Sequence, residues 1–289
     1  RGRPIVSDHS ALMPMRPVQL VGLFPDLHHE LMTLLRGLAP QDWNRPTACA
    51  QWSVQDIVAH LLDTCFRRLS LGRDQFEIAP PRPLSSYGDL VAFLNQLNAE
   101  WVIAARRLSP RMLMDLMDWA EPQLHRYLES LDPEETARFG VAWAGEEHSP
   151  NWFDIGREYT ERWLHQQQIR EAVGAPGLSS RRWLFPVLDI FVRALPFRYR
   201  NVPADPEATV QFDVTGEAGG SWTLVRTVGA WNLFAGSVSH PMSRVTLDQD
   251  TAWKLFSKGL SSDQARRDIR FEGDAGLGQP VLGALAVMA

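Results

Sequence analysis

Two stretches far apart in the chain decide its reading: Trp52-Ser-Val-Gln-Asp-Ile-Val-Ala-His60-Leu-Leu-Asp63 and Glu161-Arg-Trp-Leu-His165-Gln-Gln-Gln168. Glu161 and His165 are four apart, so on an α-helix they project from one face a turn apart and can reach a single ion together. A third ligand must come from elsewhere, and His60 is the candidate. Two imidazoles and one carboxylate make a three-ligand site that leaves a position for water or substrate. The same spacing also suits a solvated ion pair, and an imidazole at a helix edge also suits a hydrogen-bonded boundary residue.

Both stretches read as helical. Val54, Ile57, Val58, Leu61, Leu62, Cys65 and Leu69 form an apolar stripe at helical spacing, with Ser53 as its N-cap and His60 on its flank. Around Glu161 two stripes share one helix, expected from about Pro150 to Ala172. Trp152, Ile155, Gly156, Tyr159 and Trp163 line one side, and Glu161, Leu164, His165, Gln168 and Ala172 the other. A helix occupied on two faces is expected to be sandwiched, with the Glu161/His165 side lining a cavity. Further helices are expected from Val18 to Leu38, from Ser85 to Leu108, and from Ser109-Pro110 onward, the last two read from N-cap serines and helical spacing.

The stretch Leu38-Ala-Pro-Gln-Asp-Trp43-Asn-Arg-Pro46-Thr47-Ala-Cys49-Ala-Gln-Trp52-Ser53-Val-Gln-Asp56-Ile-Val-Ala-His60-Leu resembles the N-terminal signature of the mycothiol-dependent maleylpyruvate isomerase family, within the DinB/YfiT-like metal-binding superfamily. Glu161 and His165 resemble that family's Glu-x-x-x-His on the last bundle helix. The resemblance implies a DinB-like four-helix bundle over residues 15–178, with His60, Glu161 and His165 as metal ligands. It also implies a divalent metal, with Zn best suited and Ni, Fe or Mn as competitors, and a small-molecule thiol such as mycothiol. In such a family the metal-activated thiolate adds to an electrophilic, unsaturated acid-like substrate, giving isomerisation after rotation and elimination, or S-transfer if the adduct is kept. One departure is Gln168, where relatives often carry an acid: a glutamine can orient a ligand or hydrogen-bond a substrate but cannot act as a general base.

Beyond Ser179 the texture changes. Thr209–Val214, Ser221–Arg226, Trp231–Phe234 and Arg244–Leu247 are short β-prone runs punctuated by glycines, followed by a helix at Asp250–Lys258 and an apolar segment from Leu277 to Met288. The expected fold class is therefore α+β with two domains: the bundle, then a smaller α+β domain at 179–289 with an antiparallel sheet. Gly219-Gly-Ser-Trp222 and Arg270-Phe-Glu-Gly273-Asp274 resemble a sterol-carrier-like domain. Residues 178–206, rich in aromatics, read as a helix and linker joining the domains. Arg226 and Arg244 are candidate contacts for a substrate carboxylate, with Gln168 as a third candidate contact.

Composition limits the partners. A formal charge of −5 and pI near 5.9 give no long-range attraction for nucleic acid. No apolar run approaches a membrane span and no signal peptide is evident, so the expected location is cytoplasmic, as a monomer or homodimer. The start at Arg1 without Met marks residues 1–14 as an expected flexible end. The two cysteines, Cys49 and Cys65, read as reduced thiols, with Cys49 close enough to the signature helix for a thiol-handling role. The competing functional classes are a metal-dependent hydrolase, for which His28, His29, His125 and His148 are the available proton shuttles, and a non-catalytic carrier of apolar ligands.

Overall fold

The computed structural model describes residues 10–77 and 79–287, which fall into two compact units. The first holds residues 19–140 and 148–178; the second holds 10–18, 141–147 and 179–287. Parts of the expected flexible end (residues 1–9) and Met288 lie outside the described residues.

The first unit contains α1 (Phe24–Arg36), α2 (Val54–Arg68), α3 (Tyr87–Ala105), α4 (Pro110–Glu129) and α5 (Asn151–Val173). Helices α1, α2, α4 and α5 form the bundle core, and α3 packs on α2. The apolar stripe expected on α2 is buried throughout: Val54, Ile57, Val58, Leu61, Leu62 and Cys65. Its start is fixed by a capping box, in which Ser53 Oγ accepts from the Asp56 amide at 3.2 Å and the Asp56 carboxylate accepts from the Ser53 amide at 3.0 Å. Arg106 on the turn after α3 clamps the same Asp56 carboxylate with two hydrogen bonds.

Helix α5 is buried almost all round, yet its sequence is largely polar. Burial of charge is tolerated only with partners. Asp154, 1% exposed, is held between Arg68 of α2 and Arg157 of its own helix. Arg162 meets Glu121 of α4 at 3.1 Å, Glu158 one turn back, and the thiol of Cys65, which itself donates to Glu121. Arg170 reaches Glu30 of α1. The helix ends at Gly174, whose φ of 69° places it in the left-handed region that glycine enters without strain.

The second unit is built on a six-stranded sheet with order β1-β4-β3-β2-β5-β6. Its strands are β1 (Met13–Pro14), β2 (Thr209–Thr215), β3 (Gly220–Arg226), β4 (Trp231–Ala235), β5 (Ser243–Asp248) and β6 (Arg270–Gly273). Four of these match the β-prone runs of the sequence to within a residue or two. The sheet is not wholly antiparallel as expected, because β2 and β5 run parallel, with Phe212 opposite Val245. Nor is the N-terminal segment loose as far as it is described: Met13 and Pro14 pair with Ala235 and Phe234.

Helices α6 (Arg181–Phe191), α7 (Leu195–Tyr199), α8 (Gln249–Phe256), α9 (Ser262–Asp268) and α10 (Ala275–Gly278) complete this unit. The stretch expected to join the domains is mostly helical, and its aromatics pack against sheet-unit residues: Phe191 on Phe256 and Tyr199 on Trp231. Residues 141–147 belong here too. Gly145, with φ 77°, lies so close to Phe197 of α7 that a Cβ would come within 2.2 Å of the ring, and both facts call for glycine.

Two stability predictions follow from the bundle. Ser53→Ala, which removes the α2 cap, is expected to lower unfolding free energy by about 1 kcal/mol in denaturant melts. Asp154→Asn strands two guanidinium groups and is expected to cost about 3–5 kcal/mol at neutral pH. Burial raises the Asp154 carboxyl, but the charges of Arg157 and Arg68 outweigh it and hold it below the usual carboxylate range. A carboxyl depressed by folding contributes stability above its unfolded pKa and loses it as pH falls toward the folded value. The acid limb of the wild-type stability curve, below about pH 4, should therefore flatten in Asp154→Asn.

Candidate metal centre

His60 leaves the seventh position of α2, and Glu161 and His165 leave α5 one turn apart. Packing of α2 on α5 brings them together. The Nε2 atoms of His60 and His165 converge on Oε1 of Glu161, at 2.9 Å and 3.1 Å. Among the described residues this is the one group of three or more histidine, cysteine or acidic side chains arranged so as to hold an ion, with all three ligand atoms within 4.8 Å of one another. Both histidines are buried and Glu161 is half-buried.

The donor set fits a divalent ion. A tetrahedral centre with bonds of about 2.0–2.2 Å sets its donors roughly 3.3–3.6 Å apart, the scale of this cluster. The second nitrogen of His165 adds an argument. Its Nδ1 lies 2.8 Å from Oε1 of Gln168, an acceptor, so Nδ1 carries the hydrogen and a neutral ring turns a bare lone pair toward Glu161. Two acceptors facing each other at 3.1 Å require a positive charge between them, which a proton or a metal ion can supply. Gln168 is thus placed to orient His165 rather than to act as a base.

The electrostatics of the cluster are unequal. Burial pushes His60 down to about 4, against the pull of the Glu161 hydrogen bond, so this ring is neutral at pH 7 and fit to be a ligand. Burial also opposes ionisation of Glu161, but the charge of His165 and the hydrogen bonds from both histidines hold its carboxyl well below the usual range. For His165 the same carboxylate outweighs burial and raises the pKa.

Other residues at the site were not singled out as such from sequence. The Trp52 indole lies over His60 with ring centroids 4.8 Å apart and reaches His165 at 6.2 Å. Nδ1 of His60 is buried without a hydrogen-bond partner among the described residues, and the ring is held instead by its Nε2 contact with Glu161 and by packing against the tilted Trp52 indole and the edge of His165. The signal was present, because Trp52 opens the signature stretch, but nothing in the sequence tells a stacking role from a core one. Arg157, one turn before Glu161, feels the charge of that carboxylate and is anchored on Asp154.

Cys49 also feels Glu161, but burial first and that charge second push its thiol up to about 11. It is a poor thiolate, which argues against the thiol-handling role expected of it. Arg244 pairs with Asp213 on the neighbouring strand at 3.0 Å, and Arg226 lies over the Trp231 ring, so both candidate substrate arginines have partners within the sheet unit. Of the four candidate shuttles, His28 faces Asp118, and none joins the metal cluster.

No helix among the described residues is long and apolar enough to cross a membrane. No curated protein matches the sequence. Two solved structures resemble the fold: a mycothiol-dependent maleylpyruvate isomerase, at 9% identity and TM-score 0.51 over 84% of this chain and 90% of that one, and a mutant of a mycothiol-dependent maleylpyruvate isomerase, at 10% identity and TM-score 0.53 over 91% of this chain and 97% of that one. Residues 24–170, the span that supplies α1, α2, α4, all but the end of α5 and the whole His60–Glu161–His165 cluster, match the family described as the mycothiol maleylpyruvate isomerase N-terminal domain. That span is just over half of the 289 residues, and the chain belongs to the mycothiol maleylpyruvate isomerase family.

Proposed function

We propose that this chain is a metal-dependent and thiol-dependent isomerase or S-transferase acting on a small, electrophilic, unsaturated acid. The observation that carries the reading is the convergence of two imidazole nitrogens on one carboxylate oxygen, with the outer nitrogen of His165 tied to Gln168. Family membership supplies the expectation of a low-molecular-weight thiol such as mycothiol.

His60, Glu161 and His165 would hold the divalent ion, and their mixed nitrogen and oxygen donors suit Zn²⁺ best. When bound, such an ion lowers the pKa of a ligated thiol and so makes a nucleophile available at neutral pH. The remaining work falls to the chain. His60 is neutral and needs to lose no proton before it can ligate. Gln168 keeps the hydrogen of His165 on Nδ1 and leaves Nε2 to face the ion. Trp52 packs against the His60 ring, with centroids 4.8 Å apart. Neither Gln168 nor Cys49 can take up a proton near pH 7, so the site suits a nucleophile ionised by the ion itself in a reaction that, unlike a hydrolysis, needs no proton shuttle from the protein. That preference ranks thiol addition above hydrolysis. The sheet unit is read as the sterol-carrier-like companion of the bundle on its Gly219–Trp222 and Arg270–Asp274 elements.

Elemental analysis of untagged protein tests the site. About one equivalent of Zn²⁺ is expected in the wild type and little in His165→Ala; absence of metal from the wild type even after reconstitution would sink the reading. Gln168→Ala should still bind metal, with affinity lowered about 10–100-fold through loss of the orienting hydrogen bond. In Co²⁺-substituted protein, addition of a low-molecular-weight thiol should change the visible spectrum, whereas an unchanged spectrum would move the weight to the hydrolase reading.

A further inference from the structure

We propose that the sheet unit carries a binding site for a small organic oxyanion, a carboxylate or a phosphate, in the cleft between α7, α9 and the segment Ala275–Gly283. The cleft is shallow and open to solvent, about 460 Å³, and is lined by Arg198, Ser262, Arg266, Gly276, Gln279 and Gly283 among others. That volume lies within the range of small-ligand sites, about 300–1,000 Å³.

Its charge is one-sided. Two guanidinium groups line the cleft and no acidic side chain does. Several other arginines that reach another element meet a carboxylate there: Arg36 with Asp118, Arg68 with Asp154, Arg106 with Asp56, Arg162 with Glu121 and Arg244 with Asp213. Arg198 and Arg266 have no such partner among the described residues. In a chain of net charge −5, two cations without ion-pair partners line one concavity, and close cations on one surface attract an anion.

Arg198 is also set in place. Its Nε donates to the carbonyl of Pro280 at 2.7 Å, while its two terminal amino groups make no hydrogen bond among the described residues. The guanidinium lies flat on Gly283, where a Cβ would come within 2.5 Å of Cζ, so the missing side chain is what lets the group lie there. A guanidinium anchored through Nε presents its remaining N–H groups as a fork, the geometry that carboxylate and phosphate oxygens match. Ser262, whose hydroxyl donates to the carbonyl of Leu282, and the Gln279 amide supply neutral polar groups beside the two cations.

The test uses the full chain labelled with ¹⁵N. Inorganic phosphate, and separately succinate, is titrated at constant ionic strength while the arginine Nε–H resonances are followed. A saturable shift of the Arg198 and Arg266 signals is expected, and the probe that saturates first identifies phosphate or carboxylate as the favoured oxyanion. Arg266→Gln, at an exposed position, should weaken that binding at least about tenfold, as loss of a charge-assisted hydrogen bond would. Arg198→Gln should do the same, and Arg270→Gln, on an arginine paired with Glu272, should leave it unchanged. Shifts that grow linearly with both probes, or equal affinity in Arg266→Gln and wild type, would overturn the site.

Discussion

The bundle depends on one constraint: α5 is a polar helix that is buried almost all round, so its buried charges have to meet partners, several of them on neighbouring helices. Asp154 is met by Arg68 on α2, Arg162 by Glu121 on α4, Arg170 by Glu30 on α1, and Glu161 by His60 on α2. These pairings are spread along the helix, with Asp154 and Glu161, seven residues apart, facing α2, Arg162 facing α4 and Arg170 facing α1. Rotating α5 by one residue, about 100°, would misplace all of them at once and leave several charges buried alone, each at a cost of several kcal/mol. The register of α5 is therefore over-determined, and the site inherits that precision.

The His60–Glu161–His165 cluster is the member of this series whose charges are least settled by the protein itself. In the Asp154 and Arg162 clusters a carboxylate faces a guanidinium that is always charged. In the Glu161 cluster the cations are imidazoles, and one of them is kept neutral by burial. The carboxylate is held ionised, His165 is turned by Gln168 so that its Nε2 faces that carboxylate, and a positive charge is required between them. Trp52 packs against the cluster on the side of His60.

The sheet unit follows different rules. Its strands alternate less than a one-sided sheet would, since Thr209–Phe212 and Trp222–Val225 are buried on consecutive positions. The aromatics of α6 and α7, with those of α8, cover the sheet unit's interior: Phe191 and Phe212 both pack on Phe256, and Tyr199 packs on Trp231. Polar atoms inside are tied to the same framework, as when the Trp222 indole donates to Asp189 of α6.

How much could be read without coordinates differs from residue to residue. The α2 stripe, the Ser53 cap and the i,i+4 pairing of Glu161 with His165 are local properties, fixed by helical periodicity and by the hydrogen bonds that a chain terminus of a helix needs, and the sequence determined them. So did the four main strands, through β-prone runs bounded by glycine. The meeting of His60 with Glu161 across 101 positions was open to proposal from ligand chemistry and supported by family resemblance, but no local rule fixes which helices cross. Tertiary structure alone decided that Met13–Pro14 adds a strand, that β2 and β5 run parallel, and that residues 141–147 leave the bundle for the sheet unit. It also decided that Gln168 serves a histidine, that Cys49 is a poor thiolate, and that Arg198 and Arg266 share a cleft free of acids. The physical reason is common to these: charge state, strand pairing and burial depend on neighbours distant in sequence, and a side chain's own identity carries no record of them.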